Sequence, residues 1–179
     1  MWNYLRINKV GFGSTMTWRR RLTTGMTIRD ATPDDETTLL GFLRDLQDFE
    51  RALCVSRRPG HEVARHCYDE LRNASGHILL AIDEDEAAGF VAGGVKVDED
   101  ALQIETWRSH GHISDLYVAP AHRRRGVAQR LLAAMADRLR GEGANRLTIG
   151  ALSANHAAVA TYQRFGFQPF QVRLEMDLA

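Results

Sequence analysis

Apolar residues recur along this chain at two spacings, and each spacing predicts a different kind of secondary structure. A spacing of three or four residues favours an amphipathic helix, whereas β-branched and aromatic residues clustered between turns favour strands. The predicted helices begin near Thr32, Glu62, Gly126 and Asn155. The predicted strands cover residues 26–30, 77–82, 88–97, 113–118 and 146–152, with one or two more within 167–178. The order β-α-α-β-β-β-α-β-α-β predicts one mixed α/β domain over residues 26–179.

The first predicted helix has a clear start signal. Thr32 can cap it, Pro33 fits its first turn, and the acids that follow complement the helix dipole. Its inner face is a stripe of four apolar residues, Leu39, Leu43, Leu46 and Phe49. The two strands after the second helix flank the acidic turn Asp83–Glu86, which predicts a β-hairpin.

Composition argues against several classes of protein. The 179 residues have a net charge of zero, so the chain lacks the general basic surface of a nucleic-acid-binding protein. Cys54 and Cys67 form no close pair, which argues against a disulfide framework and favours a reduced, cytoplasmic compartment. No stretch approaches the ~20 apolar residues that span a membrane. We therefore expect neither nucleic acid nor membrane as a partner.

The first 25 residues differ from the rest of the chain. They carry five basic residues and no acidic one, and they lack the apolar core of a signal peptide. We expect a basic extension with little structure, upstream of a functional start at Met16 or Met26. A basic arm or an organelle-targeting peptide is the alternative.

The most informative segment is a basic turn, His122–Gly126, between a predicted strand and a predicted helix. N–H groups in the first turn of a helix have no partner within it, and the helix dipole adds partial positive charge there. Gly126 leaves room for a phosphate because it has no Cβ. The arginines from Arg123 to Arg125 add forked donors. The segment therefore predicts a binding site for a diphosphate.

Other phosphate-binding patterns do not occur in the sequence. Both the Gly-Lys-Ser/Thr ending of a P-loop and the Gly-x-Gly-x-x-Gly of a dinucleotide site are missing. A solvated helix start, or a nucleic-acid contact shared with Arg19 to Arg21, is the alternative explanation of the arginines. The zero net charge argues against the nucleic-acid alternative.

Two motifs on the predicted elements resemble those of the GNAT N-acetyltransferase superfamily. The first resembles its core strand and acyl-CoA-binding turn and comprises Asp115-Leu-Tyr-Val118 and Arg123-x-x-Gly126-x-Ala128. The second resembles its next signature in order and spacing and comprises Asn155-x-x-Ala158-x-x-x-Tyr162-x-x-x-Gly166-Phe167. The resemblance spans residues 26–178. It implies the GNAT fold, a central mixed and mostly antiparallel sheet flanked by about four helices.

The resemblance also implies a co-substrate and its contacts. Acetyl-CoA is the expected donor, held mostly by backbone groups, and no metal is expected. The expected contacts are Leu116, Tyr117, Val118, Arg123, Arg124, Arg125, Gly126, Val127, Ala128, Gln129, Asn155 and Tyr162. Arg123 either reaches a phosphate or covers the loop. In this family a bulge in the core strand frees N–H groups toward the acyl chain, where they stabilise the reacting oxygen.

Tyr162 is the general acid that the resemblance implies. In the family a tyrosine at this position lies near the thioester sulfur and protonates the departing thiolate. A phenol, with an ordinary pKa near ~10, is protonated at neutral pH. Core packing is the alternative, because Ala158, Tyr162 and Phe165 share one helical face. Asn155 also has two roles open to it, a helix cap and a contact with the pantetheine arm.

The general base has three candidates. An attacking ammonium must lose a proton, and a carboxylate or a histidine can accept it. Asp115 on the core strand, Glu105 before it and His112 are the candidates. Many relatives carry an acid at the position of Ser114, and this departure leaves a structural role for Asp115 as the alternative. His110 and His112 share a strand face, but the sequence offers no third metal ligand beside them.

The resemblance implies direct transfer, in a ternary complex, to a primary amine of a small molecule or peptide. The family builds its acceptor site from the first two helices and the loop before the core strand. Acids there suit a cationic amine and arginines suit a carboxylate, while a solvated surface explains both. These residues are Asp45, Asp48, Glu50, Glu105, Arg51, Arg57, Arg58 and Arg108. A catalytically weak CoA-binding regulatory module is the alternative function. Terminal strands often form dimers in this family, so a homodimer is also expected.

Overall fold

The computed structural model describes residues 25–99, 103–176 and 178. The basic extension predicted for residues 1–25 therefore lies, up to residue 24, outside the described residues. The strands of the described chain are β1 (Thr27–Asp30), β2 (His77–Asp83), β3 (Glu86–Val97), β4 (Ser109–Val118) and β5 (Leu147–Ile149). Its α-helices are α1 (Glu36–Leu53), α2 (Gly60–Asn73), α3 (Glu105–Arg108), α4 (Val127–Gly141) and α5 (His156–Phe165).

The strands form one sheet in the order β1-β2-β3-β4-β5. Neighbours run antiparallel except β4 and β5, which are parallel because the crossover between them contains α4. This arrangement confirms the mixed, mostly antiparallel sheet expected from the sequence.

Two hydrophobic clusters, one on each face of the sheet, hold the helices in place. On one face, α1 and α2 pack through residues such as Leu39, Leu43 and Tyr68. On the other face, α4 packs through five fully buried apolar side chains, Val127, Leu131, Leu132, Met135 and Leu139. Each side chain of this kind contributes roughly 1.5–3 kcal/mol when it leaves water. The apolar stripe predicted for α1 therefore covers the sheet through Leu39, Leu43 and Leu46, whereas its last member, Phe49, is 40% exposed.

Side chains from other elements shift the starts of two helices. Helix α2 begins at Gly60, earlier than predicted, because the Asp48 carboxylate of α1 accepts the Gly60 N–H at 2.7 Å. A 3-10 turn at Pro33–Asp35 precedes α1. It is fixed to the sheet because the Asp35 carboxylate pairs with Arg29 of β1 at 2.7 Å.

The prediction of one or two terminal strands within 167–178 is wrong for the described part of that segment. Residues 167–176 and 178 lie in no strand. Their alternating large apolar side chains are each at least 78% exposed: Phe170, Val172, Leu174, Met176 and Leu178. The pattern suits a strand, but a strand needs a pairing partner, and β5 at the sheet edge is only three residues long. The homodimer stays a prediction, which a monomer mass in light scattering would contradict.

Candidate active site

A cleft opens at the edge of the sheet where β4 and β5 separate. Within the described chain these parallel strands pair only from Gly111 with Leu147 to Ile113 with Ile149. Beyond these rungs β4 continues to Val118, whereas the chain after Ile149 leaves the sheet, so β5 is shorter than predicted. The cleft has a volume of about 690 Å³, which is within the range of small-molecule sites.

Strand β4 has a bulge at the point of separation. Ile113 pairs with Gly93 of β3 and Asp115 pairs with Ala92, so Ser114 is the additional residue. The Ser114 hydroxyl donates to the Ala92 carbonyl at 3.4 Å. A bulge bends its strand and disturbs the pairing. The second half of β4 follows this bulge and lines the cleft.

The basic turn before α4 forms a cradle in the cleft wall. Gly126 has a φ of 82° and Arg124 a φ of 63°, a left-handed conformation that glycine adopts readily and other residues rarely adopt. The Arg130 N–H donates to the Gly126 carbonyl at 3.1 Å, which is the first hydrogen bond of the helix. The N–H groups of the residues between these two therefore have no acceptor within the helix. A Cβ at Gly126 would meet no described protein atom within 4 Å. Backbone donors, helix dipole and open space together suit a diphosphate.

Eleven of the twelve residues expected to contact acetyl-CoA line this cleft, so both sequence motifs meet at one site. The exception is Arg125, whose guanidinium pairs with the buried Asp83 carboxylate at 3.0 Å. Arg124 is exposed beside the cradle. It is therefore the arginine of this turn with the best access to a bound phosphate.

Arg123 joins the basic turn to β4 and α1. Its Nε donates to the Val118 carbonyl at 2.9 Å. Its guanidinium lies 5.9 Å from the ring centres of both Phe49 and Tyr117, within cation–π range. Of the two roles that the sequence leaves open for Arg123, these contacts favour covering the loop.

Helix α5 forms another wall of the cleft. Asn155 caps this helix, because its side-chain oxygen accepts the Ala158 N–H at 3.1 Å. Tyr162 lines the cleft and also packs against Phe167, with ring centres 6.1 Å apart. The capping role of Asn155 and the packing role of Tyr162 therefore both exist, and both residues border the cleft as well.

Substitution of Asn155 can separate the cap from the position in the cleft. Asn155→Ala removes the acceptor of the Ala158 N–H and should lower the free energy of unfolding by about 1 kcal/mol. Asn155→Asp keeps the acceptor, and its charge suits a helix start, so its stability should stay near wild type. A rise in the KM for acetyl-CoA in the aspartate variant would then report loss of the amide donor. Denaturant unfolding checks the cap, and an alanine variant as stable as wild type would contradict it.

Two carboxylates in the cleft affect the ionisation of Tyr162. Burial raises the pKa of Asp115, and the neighbouring Ser114 side chain opposes this shift. Burial also raises the pKa of Glu50. The Asp115 carboxylate adds to this increase, and the Arg57 guanidinium, 3.3 Å away, opposes it. Burial, with Glu50 and Asp115, raises the pKa of Tyr162 to about 12. The site therefore combines a firmly protonated phenol with a carboxylate of increased proton affinity.

The other predicted bases lie outside the cleft. Glu105 is exposed in α3, next to the end of β4 that is remote from the cleft. His112 precedes the bulge, and its Nδ1 lies 2.9 Å from the Thr148 hydroxyl of β5. Among the eight charged residues expected around the acceptor, all of them described, only Glu50 lines the cleft.

Metal and thiol chemistry have little support in the described residues. No group of three or more His, Cys, Asp and Glu side chains in this part of the chain is arranged to hold a metal ion. Cys54 and Cys67 are free thiols, and burial raises the pKa of Cys67, which disfavours the reactive thiolate. No described helix has the length and apolar content to cross a bilayer.

Comparison with known sequences identifies relatives that are acetyltransferases by name. Residues 41–167 match the acetyltransferase (GNAT) family. The chain is 27% identical over 132 residues to a thialysine N-epsilon-acetyltransferase of Caenorhabditis elegans, covering 73% of this chain and 76% of that protein. It is 30% identical over 99 residues to a streptothricin acetyltransferase of Streptomyces lavendulae, covering 55% of this chain and 48% of that protein. The chain thus matches about half the length of the latter relative.

Solved structures share the fold at low sequence identity. A GCN5-related N-acetyltransferase from Ralstonia eutropha has a TM-score of 0.68 and 19% identity, covering 87% of this chain and all of that one. The aminoglycoside N-acetyltransferase AAC(6')-Iy, solved in complex with CoA, has a TM-score of 0.64 and 18% identity, covering 86% of this chain and 95% of that one. At such low sequence identity, the similarity to these structures supports the fold alone. It confirms the GNAT fold expected from the sequence.

Proposed function

Because this chain belongs to the acetyltransferase (GNAT) family, we propose that it transfers the acetyl group of acetyl-CoA to a primary amine. Transfer is direct, with both substrates bound in a ternary complex. One observation carries the proposal: the cleft joins the diphosphate cradle at Gly126, the bulged strand β4 and the phenol of Tyr162.

Separate parts of the cleft suit the diphosphate and the pantetheine arm of acetyl-CoA. The free N–H groups and the dipole at the start of α4 attract its diphosphate, and the open space beside Gly126 accommodates phosphate oxygens. Apolar side chains of β4 and α5, such as Leu116 and Ala158, suit the pantetheine arm. The thioester supplies an activated acetyl group for the acceptor.

The second half of β4 supplies hydrogen-bond donors for the reaction. No described residue of β5 pairs with Leu116 to Val118, so N–H groups on that side of β4 can face the cleft. The thioester oxygen gains negative charge when the amine attacks its carbon. Fixed N–H donors stabilise such a charge more than water does, because they need no reorientation.

Tyr162 acts as the general acid in this proposal. A bond forms between the amine nitrogen and the acetyl carbon, the carbon–sulfur bond breaks, and the departing thiolate needs a proton. With its pKa raised to about 12, the phenol stays protonated at neutral pH and is available to donate a proton as negative charge develops on the sulfur.

Asp115 takes the proton that the amine loses, directly or through a water molecule. It borders the cleft beside the bulge, whereas the alternative carboxylate, Glu105, is remote from the cleft. Its raised pKa increases its affinity for the proton. Glu50 provides a second carboxylate nearby.

The acceptor in this proposal is a cationic amine with an apolar portion. Thialysine, streptothricin and an aminoglycoside appear in the names of the relatives, so the family name alone selects no acceptor. In this chain, Glu50 and Asp115 share the cleft with Leu46 and Phe49. Carboxylates attract an ammonium group, and apolar side chains pack against a carbon stem.

Turnover of acetyl-CoA with a panel of amines tests the proposed function. The panel contains diamines, lysine, an aminoglycoside and short peptides, and release of free thiol is measured. We expect acceptor-dependent thiol release that is fastest with cationic amines. Binding of acetyl-CoA without turnover on any acceptor would favour the CoA-binding module instead, and a protein that does not bind acetyl-CoA would contradict both functions.

The dependence of kcat/KM on pH should identify the base. The rate should rise with pH through the raised pKa of Asp115, because only the deprotonated carboxylate accepts a proton. Asp115→Asn should lower kcat about tenfold, less than a base usually contributes, because Glu50 remains nearby. It should also move the rise to lower pH, because the Asp115 charge no longer raises the pKa of Glu50. Glu105→Gln is the matched control and should keep both the rate and the profile. An unchanged profile in Asp115→Asn would assign this residue a structural role.

A further inference from the structure

Two turns from distant parts of the chain meet beside the cleft. One is the acidic hairpin turn between β2 and β3, and the other is the basic turn before α4. Each contributes one of the two buried polar residues of the described chain, Asp83 and His122, both only 6% exposed. Polar side chains are rarely buried to this extent without a role in holding neighbouring groups.

The buried side chains converge on Arg125. The Asp83 carboxylate oxygen lies 3.0 Å from the Arg125 guanidinium and 3.3 Å from His122 Nδ1. His122 Nδ1 is also 3.4 Å from the same guanidinium nitrogen, and the exposed Glu86 carboxylate lies 3.6 Å from His122 Nε2. A buried carboxylate requires such partners, because removal of one partner leaves a charge without compensation.

Backbone hydrogen bonds fix the segment before the basic turn as well. The His122 N–H donates to the Ala119 carbonyl, and the Ala119 N–H donates to the Ala88 carbonyl of β3, each at 2.9 Å. The turn is therefore attached to the hairpin at two places, through these backbone bonds and through the Asp83–Arg125 pair.

The attached turn borders the cleft through all of its residues except Arg125. Of this turn, His122, Arg123, Arg124 and Gly126 line the cleft, and Arg124 and Gly126, on either side of Arg125, have left-handed backbones. Arg125 does not line it, because its guanidinium is held by Asp83. A left-handed arginine at position 124 is strained, so its conformation needs support from its surroundings.

We propose that Asp83 and His122 are positioning residues for acyl-CoA binding, which act by holding Arg125 away from the cleft. The held side chain keeps the backbone from Arg124 to Gly126 in the conformation that presents its N–H groups to a diphosphate. The proposal rests on the proposed function. It differs from a direct role for Arg125, in which the guanidinium itself binds phosphate.

Asp83→Asn in the full chain distinguishes these two roles of Arg125. Loss of the charge should raise both the Kd of acetyl-CoA in calorimetry and the KM about tenfold, which is the effect of one charge-assisted hydrogen bond. Saturating acetyl-CoA should restore kcat to near wild type. If Arg125 instead binds phosphate, the same substitution releases its guanidinium, and acetyl-CoA should bind equally well or better, which would overturn the proposal.

Asp85→Asn is the matched control. It makes the same change in the same turn, but Asp85 is exposed and its left-handed φ of 71° suits asparagine. Its Kd and KM should equal those of wild type. An Asp85→Asn variant as impaired as Asp83→Asn would overturn the proposal, because the turn's net charge would then explain the effect.

Arg125→Gln and the double variant complete a mutant cycle. If Asp83 acts through Arg125, the Kd of the double variant should equal that of Arg125→Gln alone, and additive effects would overturn the proposal. Arg125 is half-exposed, so Arg125→Gln should fold even if Asp83→Asn does not. An unchanged Kd of acetyl-CoA in Arg125→Gln would overturn the proposal. Wild-type protein that does not bind acetyl-CoA would refute the proposed function too. Wild-type binding with unaffected variants would refute only the positioning role.

Discussion

Tyr162→Phe is expected to lower kcat by roughly 100- to 1,000-fold, while the KM for acetyl-CoA stays near that of wild type. The substitution removes only the hydroxyl, and the remaining ring can still pack against Phe167, whose ring centre is 6.1 Å away. Without the phenol the thiolate leaves unprotonated or takes a proton from water. Because the effect falls on the leaving group, it should appear in kcat and not in donor binding.

Tyr68→Phe is the matched control for this prediction. Tyr68 is a buried tyrosine of α2 that does not line the cleft. Removal of its hydroxyl should leave kcat unchanged. A Tyr162→Phe enzyme with wild-type turnover on a good acceptor would exclude Tyr162 from proton transfer and leave it with its packing role.

Gly126→Ala is expected to raise the KM for acetyl-CoA by about 10- to 100-fold, the range of one steric conflict in a packed site. Its Cβ enters the space that the cradle leaves for phosphate oxygens, where no described protein atom lies within 4 Å. The substitution also strains a backbone with a φ of 82°. This strain should lower the free energy of unfolding by about 1 kcal/mol.

Gly143→Ala separates the strain from the steric conflict. Gly143 follows the other end of α4, has a φ of 90°, and is also open around the Cβ position. It should lose as much stability as Gly126→Ala in thermal unfolding yet keep the wild-type KM for acetyl-CoA. Equal KM values in the two variants would mean that the cradle at Gly126 does not bind the diphosphate.

The fold is predictable from sequence where the signal is local. Helix α4 is predicted to begin near Gly126 and is found at Val127–Gly141, because its apolar residues recur at helical spacing and its glycine cap directly precedes them. The segment 167–178 has an equally regular apolar alternation, yet its described residues form no strand. A strand exists only when another strand pairs with it, and that partner lies outside the local pattern.

The candidate site is predictable where a motif contains all the residues involved. The two motifs lie on adjoining elements, so their residues meet in one cleft. Glu50 is different, because no motif identifies it as a neighbour of Tyr162. It does continue the apolar stripe of Leu39, Leu43 and Leu46 at helical spacing, and a carboxylate on an apolar helical face is the signal that could have identified it.

The role of the Arg125 side chain depends on a partner that no local pattern contains. Asp83 lies in a hairpin turn far from the basic turn in sequence. From the sequence alone, Arg125 is expected to bind phosphate like the arginines beside it. In the structure its guanidinium pairs with Asp83, and the residue does not line the cleft. Contacts between distant turns of this kind require the folded structure.

A crystal structure of the protein with acetyl-CoA would show whether the cleft holds the donor as proposed. We expect diphosphate oxygens to lie about 3 Å from backbone nitrogens of the turn at Gly126, a normal hydrogen-bond distance. We also expect the thioester to lie between the second half of β4 and the hydroxyl of Tyr162. Acetyl-CoA bound elsewhere, or with its diphosphate away from this turn, would contradict this proposal.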